Sequence, residues 1–100
     1  MTGTTRSSAG LASEGLDARR RKLLFRSWHR GLREMDLILG TFADAEIGAL
    51  TSEEIDQYER LLDIPDTEFL PMVTGELPVP ADIDCAVLQK ILAFRHSMTF

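Results

Sequence analysis

The sequence predicts an all-α protein, a small bundle of five helices, and three observations support this prediction. Apolar residues recur at the helical spacing of three and four between residues 16 and 97. Residues that start or stop helices separate these periods, and no stretch alternates with a period of two for long enough to form a strand. A chain of 100 residues allows one domain with one modest core, which we place at 16–97.

The two ends of the chain lie outside this predicted domain. Residues 1–15, MTGTTRSSAGLASEG, are rich in Gly, Ser, Thr and Ala and hold almost no apolar anchor. That composition predicts a disordered N-terminal tail. Residues 98–100 form the C-terminal end.

The first predicted helix covers residues 16–30, LDARRRKLLFRSWHR. Leu24 and Trp28 are four residues apart and form an apolar stripe, with Phe25 on its flank. Gly31 follows, and a glycine inside a helix costs about 1 kcal/mol relative to alanine. Position 31 is therefore interpreted either as a helix end or as a place where another molecule must come close.

A tight break at Gly31 is favoured over a continuous helix. Basic residues crowd the turn before it and Glu34 and Asp36 come after it, which suits a helix C-terminus followed by a helix N-terminus. The second predicted helix covers about 32–46. Its apolar residues have i, i+3, i+4, i+7 spacing and are predicted to be buried: Met35, Ile38, Leu39 and Phe42.

The third predicted helix is LTSEEIDQYERLLDI, residues 50–64, and it contains a capping box formed by Thr51 and Glu54. Its core residues are Ile55, Tyr58 and Leu62. The Ile-Pro-Asp sequence at 64–66 is predicted to stop this helix and to cap the next one.

A short fourth helix is predicted at 67–75, TEFLPMVTG, because Pro71 has no N–H to donate and Gly75 offers an ending. The two prolines of ELPVPAD, residues 76–82, predict an extended connector. The last predicted helix covers 82–96, and its buried residues are Leu88, Ile91 and Leu92.

The net charge of −5 conceals a strong asymmetry along the chain. Eight basic and three acidic residues give positions 1–34 a charge of +5, whereas three basic and thirteen acidic residues give positions 35–100 a charge of −10. The first helix carries a basic stripe at Arg19, Lys22, Arg26 and Arg30. A basic face on an acidic chain indicates docking onto an acidic partner surface.

Signals for enzymatic chemistry are weak, so we do not expect an enzyme or a metal site. His29 and His96 have no metal-ligand partner at a useful spacing, and no glycine-rich phosphate-binding motif occurs. Cys85 is the single cysteine, which excludes an intrachain disulfide and suits a reducing compartment. No apolar run approaches the roughly 18 residues needed to cross a bilayer, and no secretory signal is recognisable, so membrane insertion is not expected.

Two alternative functions stay open at this point. A small helical nucleic-acid-binding or regulatory protein could use the basic helix 16–30, which mixes basic and aromatic residues. Against this stands the −10 charge of positions 35–100, which would repel phosphates, and the lack of a second basic element. A structural subunit of a larger complex is the other alternative.

The segment WHRGLREMD, residues 28–36, carries a resemblance to a known family. Arg30 to Glu34 match an RGxxE motif, with Trp28 two residues before it and Asp36 two after it. This arrangement resembles the small flavinylation or assembly factors of succinate dehydrogenase. The likeness covers about residues 16–97 and includes LTSEE, LLDIPD and GELPVP. Pro71 departs from the uninterrupted short helix that we expect at this position.

The resemblance implies a bundle of five helices without catalysis of its own. Such a factor binds the flavoprotein subunit of succinate dehydrogenase, and in some bacteria that of fumarate reductase, and promotes covalent attachment of FAD to a histidine of that client. FAD is then the group attached to the client, and no cofactor is bound stably by the factor, which is expected to be monomeric when free. The implied location is the cytoplasm in bacteria and the mitochondrial matrix in eukaryotes.

Within the motif, the resemblance implies that Arg30, Gly31 and Glu34 bind the partner. Gly31 would allow close approach of the backbones, and the two charged residues would supply contacts at the client surface. Asp36 and Trp28 are secondary partner-binding candidates, and Trp28 also fits a core residue. An exposed Arg30–Glu34 pair would add only about 0.2–0.5 kcal/mol to helix stability, so an interface explains these charges better than stability does.

Overall fold

The computed structural model of the chain describes residues 15–98, and this part contains five α-helices and no strand. The all-α prediction is confirmed. Apart from Gly15, the predicted tail lies outside the described residues, as do residues 99 and 100. The helices are α1 (Ala18–Trp28), α2 (Arg33–Glu46), α3 (Ser52–Leu62), α4 (Asp66–Thr74) and α5 (Ala86–Ser97).

The described residues form two compact units, one at 15–49 with α1 and α2 and one at 50–98 with α3, α4 and α5. That 16–97 acts as one domain stays a prediction. None of the helices within 15–98 is both long and apolar enough to cross a membrane.

In the first unit α1 and α2 pack against each other as a helical hairpin. The side chain of Asp17 caps α1 by accepting the Arg20 backbone N–H at 2.8 Å. Arg20 in turn donates its Nε–H to the carbonyl oxygen of Ile47 at 3.0 Å, which ties the start of α1 to the end of α2. The four predicted core residues of α2 are all buried, namely Met35, Ile38, Leu39 and Phe42.

The first helix is shorter than predicted by two residues at each end, because Asp17 caps it and His29 ends it. Leu24 is buried as its position on the apolar stripe predicts, and Leu23 is buried beside it. Phe25, on the flank of the stripe, is exposed.

In the second unit α3 and α4 each pack against α5. The capping box of α3 is confirmed: Thr51 Oγ1 accepts the Glu54 N–H at 3.1 Å and Glu54 Oε1 accepts the Thr51 N–H at 3.0 Å. Glu54 also forms an ion pair with Lys90 of α5 at 2.9 Å. Ile55, Tyr58 and Leu62 are buried as predicted, and so are Leu88 and Ile91.

The predicted start of the last helix at Asp82 is wrong, since α5 begins at Ala86. The reason is a turn in which Ile83 and Asp84 donate their N–H groups to the Pro80 carbonyl at 3.0 and 3.1 Å. Cys85 is the N-cap but its side chain makes no capping hydrogen bond.

Two further details of the second unit differ from expectation. Leu92 is only half-buried, because the buried stripe of α5 is formed by Val87, Leu88 and Ile91. The residue that precedes α4 is Pro65, which makes no side-chain cap, and Asp66 is already helical. The short α4 continues through Pro71 and ends before Gly75, whose φ of 87° is left-handed.

Candidate partner-binding loop between α1 and α2

Four residues, 29–32, join the two helices of the hairpin, and we call this segment the α1–α2 loop. Gly31 within it has a φ of 111°, a backbone conformation that glycine adopts without strain and other residues rarely adopt. The predicted break at Gly31 is therefore confirmed. The C-cap of α1 is His29, so Gly31 is a turn residue two positions further on and not the cap itself.

The space around Gly31 is open. A Cβ atom added there would meet no other atom within 4 Å, apart from its chain neighbours, and the residue is exposed. No close approach inside the hairpin therefore requires a glycine at this position. The requirement that remains is the left-handed backbone, together with any molecule that approaches from outside.

Asp36 holds the loop in place. Its Oδ1 accepts the backbone N–H of Arg30 at 2.5 Å, so the first turn of α2 is joined to the residue before Gly31. Asp36 is half-buried. The structure thus gives this secondary candidate a positioning role that the RGxxE pattern did not indicate.

The remaining motif residues lie at the surface of the same segment. Glu34 is exposed in the first turn of α2, where a carboxylate interacts favourably with the helix N-terminus. Arg30 is half-buried at the loop itself. The structure therefore brings Arg30, Gly31, Glu34 and Asp36 together around one short loop.

Trp28 has a different environment from the motif residues. Its indole ring lies directly against Gly40 in the middle of α2, where an added Cβ atom would overlap the ring. Its Nε1–H donates to Asp44 Oδ1 at 3.3 Å. These contacts support the interpretation of Trp28 as a packing residue of the hairpin.

Gly40 is the packing partner of Trp28 that the sequence did not reveal. It is buried, helical and small because the tryptophan occupies the space where its side chain would be. The sequence did contain one signal, a glycine inside the predicted helix 32–46. Such a glycine costs about 1 kcal/mol relative to alanine, so its presence suggests a packing requirement. Nothing in the sequence periodicity indicates that Trp28 is its partner.

The outer surface of α1 is strongly basic. Arg19 and Lys22 of the predicted stripe are exposed, and Arg26 and Arg30 are half-buried. Arg20 lies off this stripe and pairs with Asp17 at 2.7 Å. Hydrogen bonds from the Arg20 backbone and side chain lower the pKa of the Asp17 carboxyl below its ordinary 3.8.

Possible metal ligands and cavities are the remaining features of the described residues. Between residues 15 and 98, no three His, Cys, Asp or Glu side chains are placed to hold a metal ion. Two surface cavities of about 210 and 270 Å³ lie within the second unit. The smaller lies beside Cys85 and the larger beside Leu77.

Fold and loop together define a small all-α protein whose candidate site is an exposed loop rather than a cleft. The chain belongs to the family described as flavinator of succinate dehydrogenase, whose model matches residues 21–95. This result confirms the resemblance carried by the WHRGLREMD segment.

The matches to individual relatives cover most of the chain. It is 37% identical over 86 residues to the FAD assembly factor SdhE of Acetobacter pasteurianus, covering 86% of this chain and 79% of that protein. It is 38% identical over 72 residues to the mitochondrial succinate dehydrogenase assembly factor 2 of Mycosarcoma maydis, and 36% identical over 72 residues to that of Dictyostelium discoideum. Each of these two matches covers 72% of this chain. The matched region is 30% of the Mycosarcoma maydis protein and 51% of the Dictyostelium discoideum protein.

Proposed function

We propose that this chain binds the flavoprotein subunit of succinate dehydrogenase and promotes covalent attachment of FAD to a histidine of that subunit. Membership of the flavinator family supports the proposal. The observation that carries it is the surface at the α1–α2 loop, where Gly31 is exposed with open space around it and Glu34 is exposed in the adjoining first turn of α2. The flavoprotein subunit of fumarate reductase is a second client of the same kind.

The proposed action is positioning and not catalysis by groups of this chain. The factor holds its client in a conformation where the histidine and the flavin meet at attack distance, and correct placement alone can supply much of the rate. Glu34 and Arg30 contact charged groups of the client, and Gly31 leaves its backbone accessible to the client surface. FAD is attached to the client, and the factor, monomeric when free, retains none of it.

This function places the chain where its client folds. That is the cytoplasm of a bacterium or the mitochondrial matrix of a eukaryote, in line with the bacterial and mitochondrial relatives. Neither place requires the chain to insert into a membrane.

The test is a reconstitution of flavin attachment. Flavoprotein subunit that lacks covalent flavin is incubated with FAD, with and without the purified chain, and covalent flavin is measured by in-gel fluorescence. We expect the chain to accelerate attachment. Equal attachment with and without it would refute the proposal.

Glu34→Ala provides the site-specific arm of this test. Removing an exposed charge changes the free energy of unfolding by only about 0–1 kcal/mol. Truncating a charged contact at a desolvated interface costs about 2–5 kcal/mol of binding, so client affinity and flavin attachment should fall. Glu53→Ala is the matched control, because Glu53 is also an exposed glutamate at the second position of a helix, α3. Equal client binding by the two variants would contradict the assignment of the loop.

A further inference from the structure

We propose that the client-binding surface extends from the α1–α2 loop along one face of α1, with Phe25 as its apolar anchor. This α1 face consists of Arg21, Lys22, Phe25 and His29, which are all exposed. The inference rests on the proposed function, because it names a further part of the surface that the client covers.

Exposure of apolar side chains is the first argument. Three large hydrophobic residues of the described chain are strongly exposed: Phe25 at 61%, Leu77 at 55% and Leu32 at 41%. Phe25 and Leu32 lie on either side of Gly31 in the sequence, within eight residues of each other. Single exposed apolar residues are common, but two that flank a candidate binding loop mark it as a contact surface.

The second argument is the fixed position of the Phe25 ring. It is stacked on the His29 ring one helical turn later, with centroids 3.9 Å apart and an angle of 17° between the planes. The His29 ring is itself held, since its Nδ1–H donates to the Phe25 carbonyl oxygen at 2.7 Å. A side chain that is ordered before binding loses less conformational entropy on binding, and aromatic residues are enriched at protein interfaces.

The charges on this face indicate what covers it. Arg21 and Lys22 precede Phe25 by four and three residues, so they lie beside it on the helix surface. The complementary partner surface is an apolar pocket with an acidic rim. His29 is both a member of this face and the first residue of the α1–α2 loop, so one continuous partner surface can cover both.

A nucleic acid would also meet basic and aromatic side chains here, but the charge of the whole chain disfavours it. The net charge is −5 and positions 35–100 carry −10, which opposes binding to a polyanion. A protein with a local acidic patch does not meet this obstacle. The occupant we assign is therefore the flavoprotein client.

The experiment measures the affinity of the full chain for the isolated flavoprotein subunit. Phe25→Ala should raise the Kd about 10- to 100-fold, as expected for a central interface anchor, while its melting curve stays that of the wild type. Leu77→Ala is the matched control, because it removes a comparably exposed apolar side chain from the second unit and should leave the Kd unchanged. The double variant Arg21→Glu/Lys22→Glu should slow association with an acidic rim.

His29 is tested as a positioning residue. His29→Ala removes the stacking partner and should raise the Kd by an intermediate factor. His29→Phe keeps an aromatic ring at this position and should restore most of the affinity. Equal loss in both variants would show that stacking does not position Phe25.

The outcomes separate this inference from the proposed function. If Phe25→Ala binds the client as tightly as Leu77→Ala while Glu34→Ala binds weakly, the extended surface is refuted and the loop assignment stands. If the wild-type chain does not bind the client, both fail. If Phe25→Ala loses affinity for a single-stranded oligonucleotide and keeps its affinity for the client, the assigned occupant is wrong.

Discussion

Gly31 and Gly40 lie nine residues apart in the same hairpin and are glycines for opposite reasons. Gly31 has a left-handed backbone, and the space that a Cβ atom would take is open. Gly40 lies inside α2, and the Trp28 ring occupies the space of its missing side chain. The first glycine leaves a surface accessible, and the second brings two helices together.

The two sites are connected through Trp28. This residue is the last of α1, so its contact with Gly40 fixes the point where the α1–α2 loop leaves the helix. Asp36 fixes the other side of the loop through the Arg30 N–H. The comparison therefore separates residues that position the loop from residues that are presented by it.

Gly40→Ala should have the largest effect on stability. The added methyl group overlaps the indole ring, and overpacking of this kind costs about 1–3 kcal/mol. With about 4–8 °C per kcal/mol for a chain of this size, the melting temperature should fall clearly. A thermal melt followed by circular dichroism measures it.

A double-mutant cycle with Trp28→Ala gives the control. Once the indole is absent, Gly40→Ala should be neutral or stabilise by up to about 1 kcal/mol, because alanine favours helix. Additive effects of the two changes would contradict the direct Trp28–Gly40 contact.

Asp36→Ala should have a smaller effect on stability than Gly40→Ala, and it should measurably weaken client binding. Loss of the carboxylate that accepts the Arg30 N–H costs about 1 kcal/mol, comparable to the loss of a helix cap. The loosened loop should also bind the client more weakly. Asp36→Asn keeps an acceptor oxygen and should therefore restore most of the stability and most of the affinity for the client. If Asp36→Ala leaves client binding intact, the loop does not need this positioning contact.

Glu54→Gln should have the smallest effect on stability, and this effect should depend on pH. The substitution should leave flavin attachment unchanged. The Thr51 backbone N–H and then the Lys90 ammonium lower the pKa of Glu54 below its ordinary 4.5. A lowered pKa stabilises the folded state at neutral pH, and this contribution disappears as the pH falls below about 4.5 and through the lower folded value. Glu54→Gln should thus be less stable than wild type at pH 7, with the difference shrinking towards pH 3 in chemical denaturation. A difference that grows on acidification would be inconsistent with this account.

Periodicity and capping chemistry predicted much of this fold because they act locally. The box at Thr51 and the apolar spacing in α2 depend on residues three or four positions apart, and both were confirmed. The start of α5 was misplaced because the turn at Pro80 competes with helix over residues 82–85. Gln57 contributes to the actual start, since its side chain accepts the Val87 N–H at 3.2 Å from thirty residues away.

The candidate site shows the same division between local and distant information. The RGxxE pattern gives Arg30, Gly31 and Glu34 as candidates, and the break in the helix at Gly31 was predictable from neighbouring charges. The pairing of Trp28 with Gly40 depends on how two helices cross. No local pattern in the sequence encodes that contact.

The most direct test of the central claim compares Gly31→Arg with Gly75→Arg. Both glycines are exposed, have a positive φ and have open space where a Cβ atom would lie, so each substitution should cost a similar strain of about 1–2 kcal/mol. Total stability of about 5 kcal/mol or more leaves both variants folded. The paired measurement is a thermal melt and covalent flavin on the client by in-gel fluorescence. The account predicts similar melts, loss of flavin attachment with Gly31→Arg, and normal attachment with Gly75→Arg. Undiminished attachment by Gly31→Arg, or unfolding of Gly31→Arg alone, would contradict it.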